Sequence, residues 1–316
     1  MKMATGFVYH ETYLLHNAEN RHPESPERLR SVHNYLADIG LLKELAEIEP
    51  EPADTDWLAQ IHTTDHISHV KAACASGITS LDADTGISSE SYLAALYAAG
   101  GVMAAIDGVM VKRIRNAFCA VRPPGHHAES DRAMGFCLFN NVAVGARYAQ
   151  KHHSLEKILI IDWDVNHGNG TQNSFYDDPT VFYFSVHQYP YYPGTGHHAE
   201  TGTGGGKGCT LNVPLGPGAD DDIYIDIMNN KLVPALSSFK PDLVLISAGF
   251  DAHQNDPLAG MNMTADGFGQ LTRIVCDIAD QYCKGRLVSV LEGGYHLDSL
   301  NRSVTSHLKT MMACNL

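Results

Sequence analysis

Two aspartates, Asp164 and Asp251, each follow an apolar run and stand in a turn of small residues. Two carboxylates with one more donor make a three-ligand catalytic metal site that leaves a position open for water. Taken singly, either aspartate reads more readily as a turn residue or a helix cap. The adjacent pair His126-His127 comes after Arg122-Pro123-Pro124-Gly125. Beside a metal, one imidazole of such a pair can accept the proton of a bound water while the other supplies charge. The pairs His152-His153 and His197-His198 lack that setting and read as solvated loops. Tyr295 lies in EGGYH, where two glycines let backbone approach a site closely, and its phenol could donate to an oxyanion. As a lone tyrosine it reads more often as packing.

These residues need elements to position them. Short, continuous apolar runs at 117–121 (AFCAV), 158–161 (ILII), 181–186 (VFYFSV), 243–247 (LVLIS) and 287–291 (LVSVL) have the character of strands buried on both faces of a parallel sheet. Helical stretches are expected over 91–111, 140–151, 222–238 and 265–284. The alternation predicts a single α/β domain over 1–316, with a mainly parallel sheet and helices on both faces. RPPGHH, DWDVNHGNG, SVHQYPYYPGTG, AGFDAHQNDP and EGGYH then fall at the carboxyl ends of five strands, where open α/β sheets bind ligands.

The chain has 316 residues, 44% hydrophobic, with neither a linker nor a repeat. Lys plus Arg number 22 against 36 Asp plus Glu, a formal charge of −14. That balance argues against direct nucleic-acid binding and suits a cationic substrate, although solubility alone also explains an acidic surface. No stretch is expected to approach the roughly 18 apolar residues of a membrane span, and the opening MKMATGFVYHETY lacks the apolar core of a secretory signal. Seven cysteines without regular spacing point to reduced thiols and a cytoplasmic setting. Oligomeric state is left open.

Read together, RPPGHHA, GFCLFNN, DWDV followed by HGNGTQ, PGTG, SAGFDAHQNDPLAG and LEGGY closely resemble the histone deacetylase and acetylpolyamine amidohydrolase family, with its arginase-like deacetylase fold. NRHPESPERL, GNGTQ and GFDAHQNDPLAG look most like class II members and their bacterial relatives, over residues 9–300. The resemblance implies that Asp164 and Asp251 are zinc ligands and that His126 and His127 flank the metal-bound water, with His127 as general base and then acid. It implies that Asp162 orients His126, Asn169 orients His127, and Tyr295 hydrogen-bonds the acyl carbonyl. Phe136 and Tyr192 match the walls of an acyl-lysine channel, Gly135 the glycine beside it, and Asp84 a loop that holds substrate backbone. Arg28 matches an arginine near an inner acetate channel. Asp162 and Ser185 match ligands of a structural monovalent cation, usually potassium. The implied activity is zinc-dependent removal of acetyl from acyl-lysine in proteins or peptides.

At one position the sequence departs from the pattern. Family members read Asp-x-His where this chain reads Asp164-Val165-Asn166, followed by His167. The expected third ligand is an imidazole, whereas Asn166 offers a neutral amide oxygen that suits harder cations than zinc. His167 matches the second histidine of the usual pair and could substitute only if the turn shifted by one residue. The site is therefore weakened by Asn166, or works with Asn166 or its water as ligand, or only binds acylated ligands. With every other site residue in place, an active or weakened enzyme is favoured. Acetylpolyamine hydrolysis shares the chemistry; polyamine-preferring relatives carry a glutamate where this chain has Leu258, which favours acyl-lysine. A two-manganese ureohydrolase on the same fold has no use for Tyr295.

Overall fold

In the computed structural model, residues 3–18 and 22–314 are described; Met1 and Lys2, and Asn20-Arg21 of the NRHPESPERL motif, lie outside the described residues. Among the described residues, eight strands form one sheet: β1 (Ala4–Val8), β2 (Ala46–Ile48), β3 (Ile114–Cys119), β4 (Ile158–Asp162), β5 (Val181–Gln188), β6 (Thr210–Leu215), β7 (Leu243–Ala248) and β8 (Leu287–Leu291). Their order is β2-β1-β3-β8-β7-β4-β5-β6, and every neighbouring pair is parallel. The five strands expected from apolar runs are the five central ones. Burial on both faces is why they lack polar alternation: all five residues of β4 and of β8 are buried.

The strands not anticipated lie towards the edges. The outermost, β2, has three residues, and β6 carries Asn212 and Pro214, tolerable because an edge strand has one unpaired side.

Helices cover both faces. Pro26–Asp38, Ala265–Cys283 and Leu297–Ala313 pack together in one layer; Ser91–Met110 and Asn141–His153 pack together in the other. Asn140 accepts from the Ala143 amide and Thr264 from the Gly267 amide, so each expected helix starts one residue after its cap. The stretch expected over 222–238 is two helices, Asp221–Ile227 and Val233–Phe239, joined by a π-helical turn at Met228–Leu232. Pro234 comes just after that turn, and its missing N–H falls where the α-helical bonding is already interrupted.

One expectation is corrected. Helix Ser91–Met110 has a mean hydropathy of 1.6 and is long and apolar enough to cross a membrane. Its apolarity serves the core instead: Ala94, Ala98, Val102, Ala105 and Ile106 are buried. Gly100 is required there, since a Cβ would stand 1.8 Å from the Glu51 carbonyl oxygen.

The connectivity explains where the site forms. The chain passes from β3 to β4 across a gap that β7 and β8 fill only later. The loops after β3 and β4 therefore face each other over the turns that follow β7 and β8, a switch point of the kind that binds ligands.

Candidate active site

The loop after β3 presents the two histidines. Arg122 is buried and pairs with Glu24 while donating to the carbonyls of Tyr13 and His16. Beyond the prolines, the amides of Gly125 and His126 donate to Glu292 Oε2 at 2.7 and 3.2 Å, and Ser247 donates to Glu292 Oε1 at 3.0 Å. Burial pushes the Glu292 carboxyl up to about 7. Glu292 was not picked out from the sequence; a carboxylate directly after the apolar run LVSVL was the available signal.

His126 Nδ1 donates to Asp162 Oδ2 at 3.0 Å, and His127 Nδ1 donates to Asn169 Oδ1 at 2.8 Å. The rings are 4.0 Å apart. The two histidines differ electrostatically. Burial disfavours charge on His126, but Asp162 and Asp164 outweigh it and push its pKa up to about 10. Burial, followed by the charge of His126, holds His127 well below the usual imidazole range. His127 is thus neutral, with its proton on Nδ1 and Nε2 bare as an acceptor.

Asp164 and Asp251 come together behind the histidines, and neither caps a helix. Asp164 Oδ1 accepts from the Asn166 amide at 2.8 Å and Oδ2 from the Gly293 amide at 2.9 Å. Asp251 Oδ1 accepts from the Val165 amide at 2.9 Å, while its buried Oδ2 has no hydrogen-bond partner among the described residues. Burial raises both carboxyls, and a neighbouring charge adds to it, that of Asp162 at Asp164 and that of Asp164 at Asp251. A Cβ on Gly293 would lie 2.0 Å from Asp251 Oδ2 and 2.7 Å from Asp164 Oδ2, so glycine is what lets this backbone reach the carboxylates.

The turn at 166 has not shifted. Asn166 lines the cavity, and its Nδ2 donates to the Tyr192 carbonyl at 3.2 Å. His167 is buried elsewhere: Nε2 donates to Gln172 Oε1 at 3.0 Å, and Nδ1 pairs with the Thr195 hydroxyl at 2.8 Å. Both its ring nitrogens are used within the fold, so it does not replace the missing imidazole.

A cavity of about 250 Å³ leads to this cluster, lined by Gly135, Phe136, Tyr192, Tyr295 and both histidines, with Asp84 and Leu258 also on its wall. Tyr192 meets the His127 ring edge-on at 5.0 Å, and Phe136 meets Tyr295 at 6.0 Å. Gly135 and Phe136 both have positive φ, 56° and 69°. A Cβ at 135 would stand 2.4 Å from the His127 ring, which makes glycine obligatory there. Burial, then the charge of Asp82, raises the carboxyl of Asp84, which is exposed.

Arg28 is fully buried, donating to the carbonyls of Glu292 and Gly294, with its guanidinium 4.9 Å from the centre of the Tyr295 ring. Burial raises the Tyr295 phenol well above its ordinary range although Arg28 opposes it, so Tyr295 stays a donor. Asp256, also unread in the sequence, accepts from the amides of Tyr295, His296 and Leu258 and fixes that turn. Asp162 and Ser185 are register partners on β4 and β5, and Ser185 Oγ contacts His187 Nδ1 at 2.9 Å. Of the loop pairs set aside, His197-His198 is exposed as expected, but His152-His153 closes a helix and meets Asp107.

The chain is similar to known proteins over most of its length. The histone deacetylase domain model matches residues 22–311. A probable deacetylase of Archaeoglobus fulgidus is 40% identical over 298 residues, covering 94% of this chain and 82% of that protein. A histone deacetylase-like amidohydrolase of Pseudomonas aeruginosa is 40% identical over 277 residues, covering 87% and 72%. The crystal structure of the HDA15 HD domain superposes with a TM-score of 0.95 at 37% identity, covering 99% of this chain and 89% of that one. The chain therefore belongs to the histone deacetylase family and is a hydrolase of the deacetylase and amidohydrolase kind.

Proposed function

We propose that the protein hydrolyses the acyl amide of N-ε-acyl-lysine in peptides or proteins, using a divalent metal held by Asp164 and Asp251. The observation that carries the metal is the buried, unpartnered Oδ2 of Asp251 beside a second buried carboxylate, an arrangement a cation neutralises. Zinc is the family's usual metal. Asn166 changes the third donor from imidazole to amide oxygen, and an all-oxygen set holds zinc less well than one with nitrogen. Potassium beside Asp162 and Ser185 belongs to the same proposal, as does a cytoplasmic setting, which the free thiols of all seven cysteines suit.

When bound, the metal supplies Lewis acidity towards the acyl carbonyl and a more acidic water. The rest falls to side chains. Phe136 and Tyr192 bound a narrow slot suited to the methylenes of lysine, and Leu258 at its wall adds no charge for a distant ammonium. His127 Nε2 accepts the proton of the attacking water. Tyr295 donates its hydroxyl to the oxygen that gains charge. The proton held by His127 then passes to the departing amine, which leaves as the acyl–nitrogen bond breaks.

The test compares bound zinc and release of fluorophore from an acetyl-lysine substrate between this protein and Asn166→His. The expected result is fuller zinc occupancy and at least ~100-fold faster turnover with histidine. Equal zinc and equal rates would show that position 166 needs no imidazole. Zinc binding without turnover in either protein would replace hydrolysis with a binding role.

A further inference from the structure

At the amino-terminal ends of the central strands, the end of the sheet opposite the cavity, two helices end side by side. Helix Ser91–Met110 carries Asp107 in its last turn, just before β3 begins, and helix Asn141–His153 ends on His152 and His153, just before β4. One ligand atom from each of Asp107, His152 and His153 lies within 4.8 Å of the other two. His153 Nε2 donates to Asp107 Oδ1 at 2.6 Å, and the Tyr148 hydroxyl reaches the two Asp107 oxygens at 2.9 and 3.0 Å.

Rings hold these groups in place. His152 stacks on Tyr148 with centroids 4.8 Å apart and planes 10° from parallel, while His153 meets the same ring edge-on at 5.6 Å. Trp57 stands edge-on to Tyr148 at 4.8 Å and to His152 at 6.3 Å.

We propose that Asp107, His152 and His153 form a second metal site, for a borderline divalent ion such as zinc, nickel or cobalt, with water completing the shell. Two imidazoles and one carboxylate are a donor set these ions favour. The ion displaces the shared proton between His153 and Asp107. Bonds of about 2.0–2.1 Å require the donor atoms to close to roughly 3.3 Å of one another, a movement open to His152 because its ring is exposed. Tyr148 serves as the outer hydrogen-bond partner that steadies a ligating carboxylate. Two helix C-termini converge here, and their negative ends favour a cation. Bound metal would pin the ends of the two helices together, far from the acyl-lysine cavity.

The experiment titrates the full chain with nickel and cobalt beside His152→Ala and the double variant His152→Ala/His153→Ala. Metal in the catalytic cavity is common to all three and cancels in the comparison. After desalting, the unmodified protein should retain one more equivalent than either variant, and nickel should quench a part of its tryptophan fluorescence that both variants have lost. His152 is exposed, so its replacement leaves the core intact, and equal melting of the metal-free proteins checks this. Equal stoichiometry and equal quenching in all three would overturn the proposal.

Discussion

His127 and Glu129 are joined through the side-chain amide of Asn169, which accepts from His127 Nδ1 at 2.8 Å and donates to Glu129 Oε1 at 2.6 Å. An asparagine alone could present either end to the imidazole. Glu129 accepts only, so it takes the NH2 end and turns the carbonyl towards His127. The proton of His127 is thereby fixed on Nδ1, leaving Nε2 bare on the cavity side. Asn173 in turn holds Glu129, donating to its two oxygens at 2.9 and 3.1 Å.

In the proposed mechanism Glu129 is a positioning residue, two hydrogen bonds removed from the reacting atoms. Glu129→Ala should lower kcat about 10–100-fold, with KM and metal content little changed. Glu129→Gln, which can still offer a carbonyl to Asn169, should recover most of the loss. An unchanged kcat in Glu129→Ala would sink the idea that this chain of bonds sets the tautomer.

Tyr295 supports a separate expectation. Asp256 fixes its backbone, Arg28 lies against its ring, and burial keeps its phenol protonated. Tyr295→Phe keeps the ring and removes only the donor, so kcat should fall about 10²–10³-fold while zinc content and KM stay near those of the parent. A rise in KM with kcat unchanged would mean that the hydroxyl binds the substrate as strongly as the developing oxyanion.

The central sheet was legible because β3, β4, β5, β7 and β8 are buried on both faces and read as plain apolar runs. The edges were not: β2 is three residues long and β6 mixes Asn and Pro into its run. Among site residues, those in glycine-rich turns after strands could be picked out, as Asp164, Asp251 and Tyr295 were. Glu129 and Asp256 could not, because each acts mainly by accepting backbone or amide protons from segments far away in the chain, and Glu292, marked only by its place after LVSVL, was passed over. A single carboxylate carries no periodicity that announces such partners. The helix Ser91–Met110 was legible from its Ala-rich face, but its apolarity was understated, since the alanines, valines and isoleucine that pack the core also have the hydropathy of a span.

Acid should weaken the fold through its buried histidines. His307 is fully buried, with Nδ1 paired to the Thr272 hydroxyl at 2.6 Å and Nε2 to the Ser289 hydroxyl at 2.9 Å. Thr272 spends its own proton on the Phe268 carbonyl, so His307 must donate from Nδ1 and accept at Nε2. A second proton would meet only the neutral Ser289 hydroxyl, and burial pushes the pKa down to about 3. The unfolded chain, with an ordinary value near 6.5, therefore binds the proton first. Stability from this group is complete above about pH 6.5 and drains away as pH falls towards 3, by up to ~1.4 kcal/mol per pH unit. His62 and His167 are likewise held down to about 3 by burial and add to the same slope, whereas Glu292, raised to about 7, works against it. Comparing His307→Gln with the parent isolates one group from the rest. Urea unfolding at pH 7 and pH 5 should show the parent losing more stability than the variant on acidification, although the variant starts lower at pH 7. Parallel losses in the two proteins would mean that His307 accepts its proton within the fold.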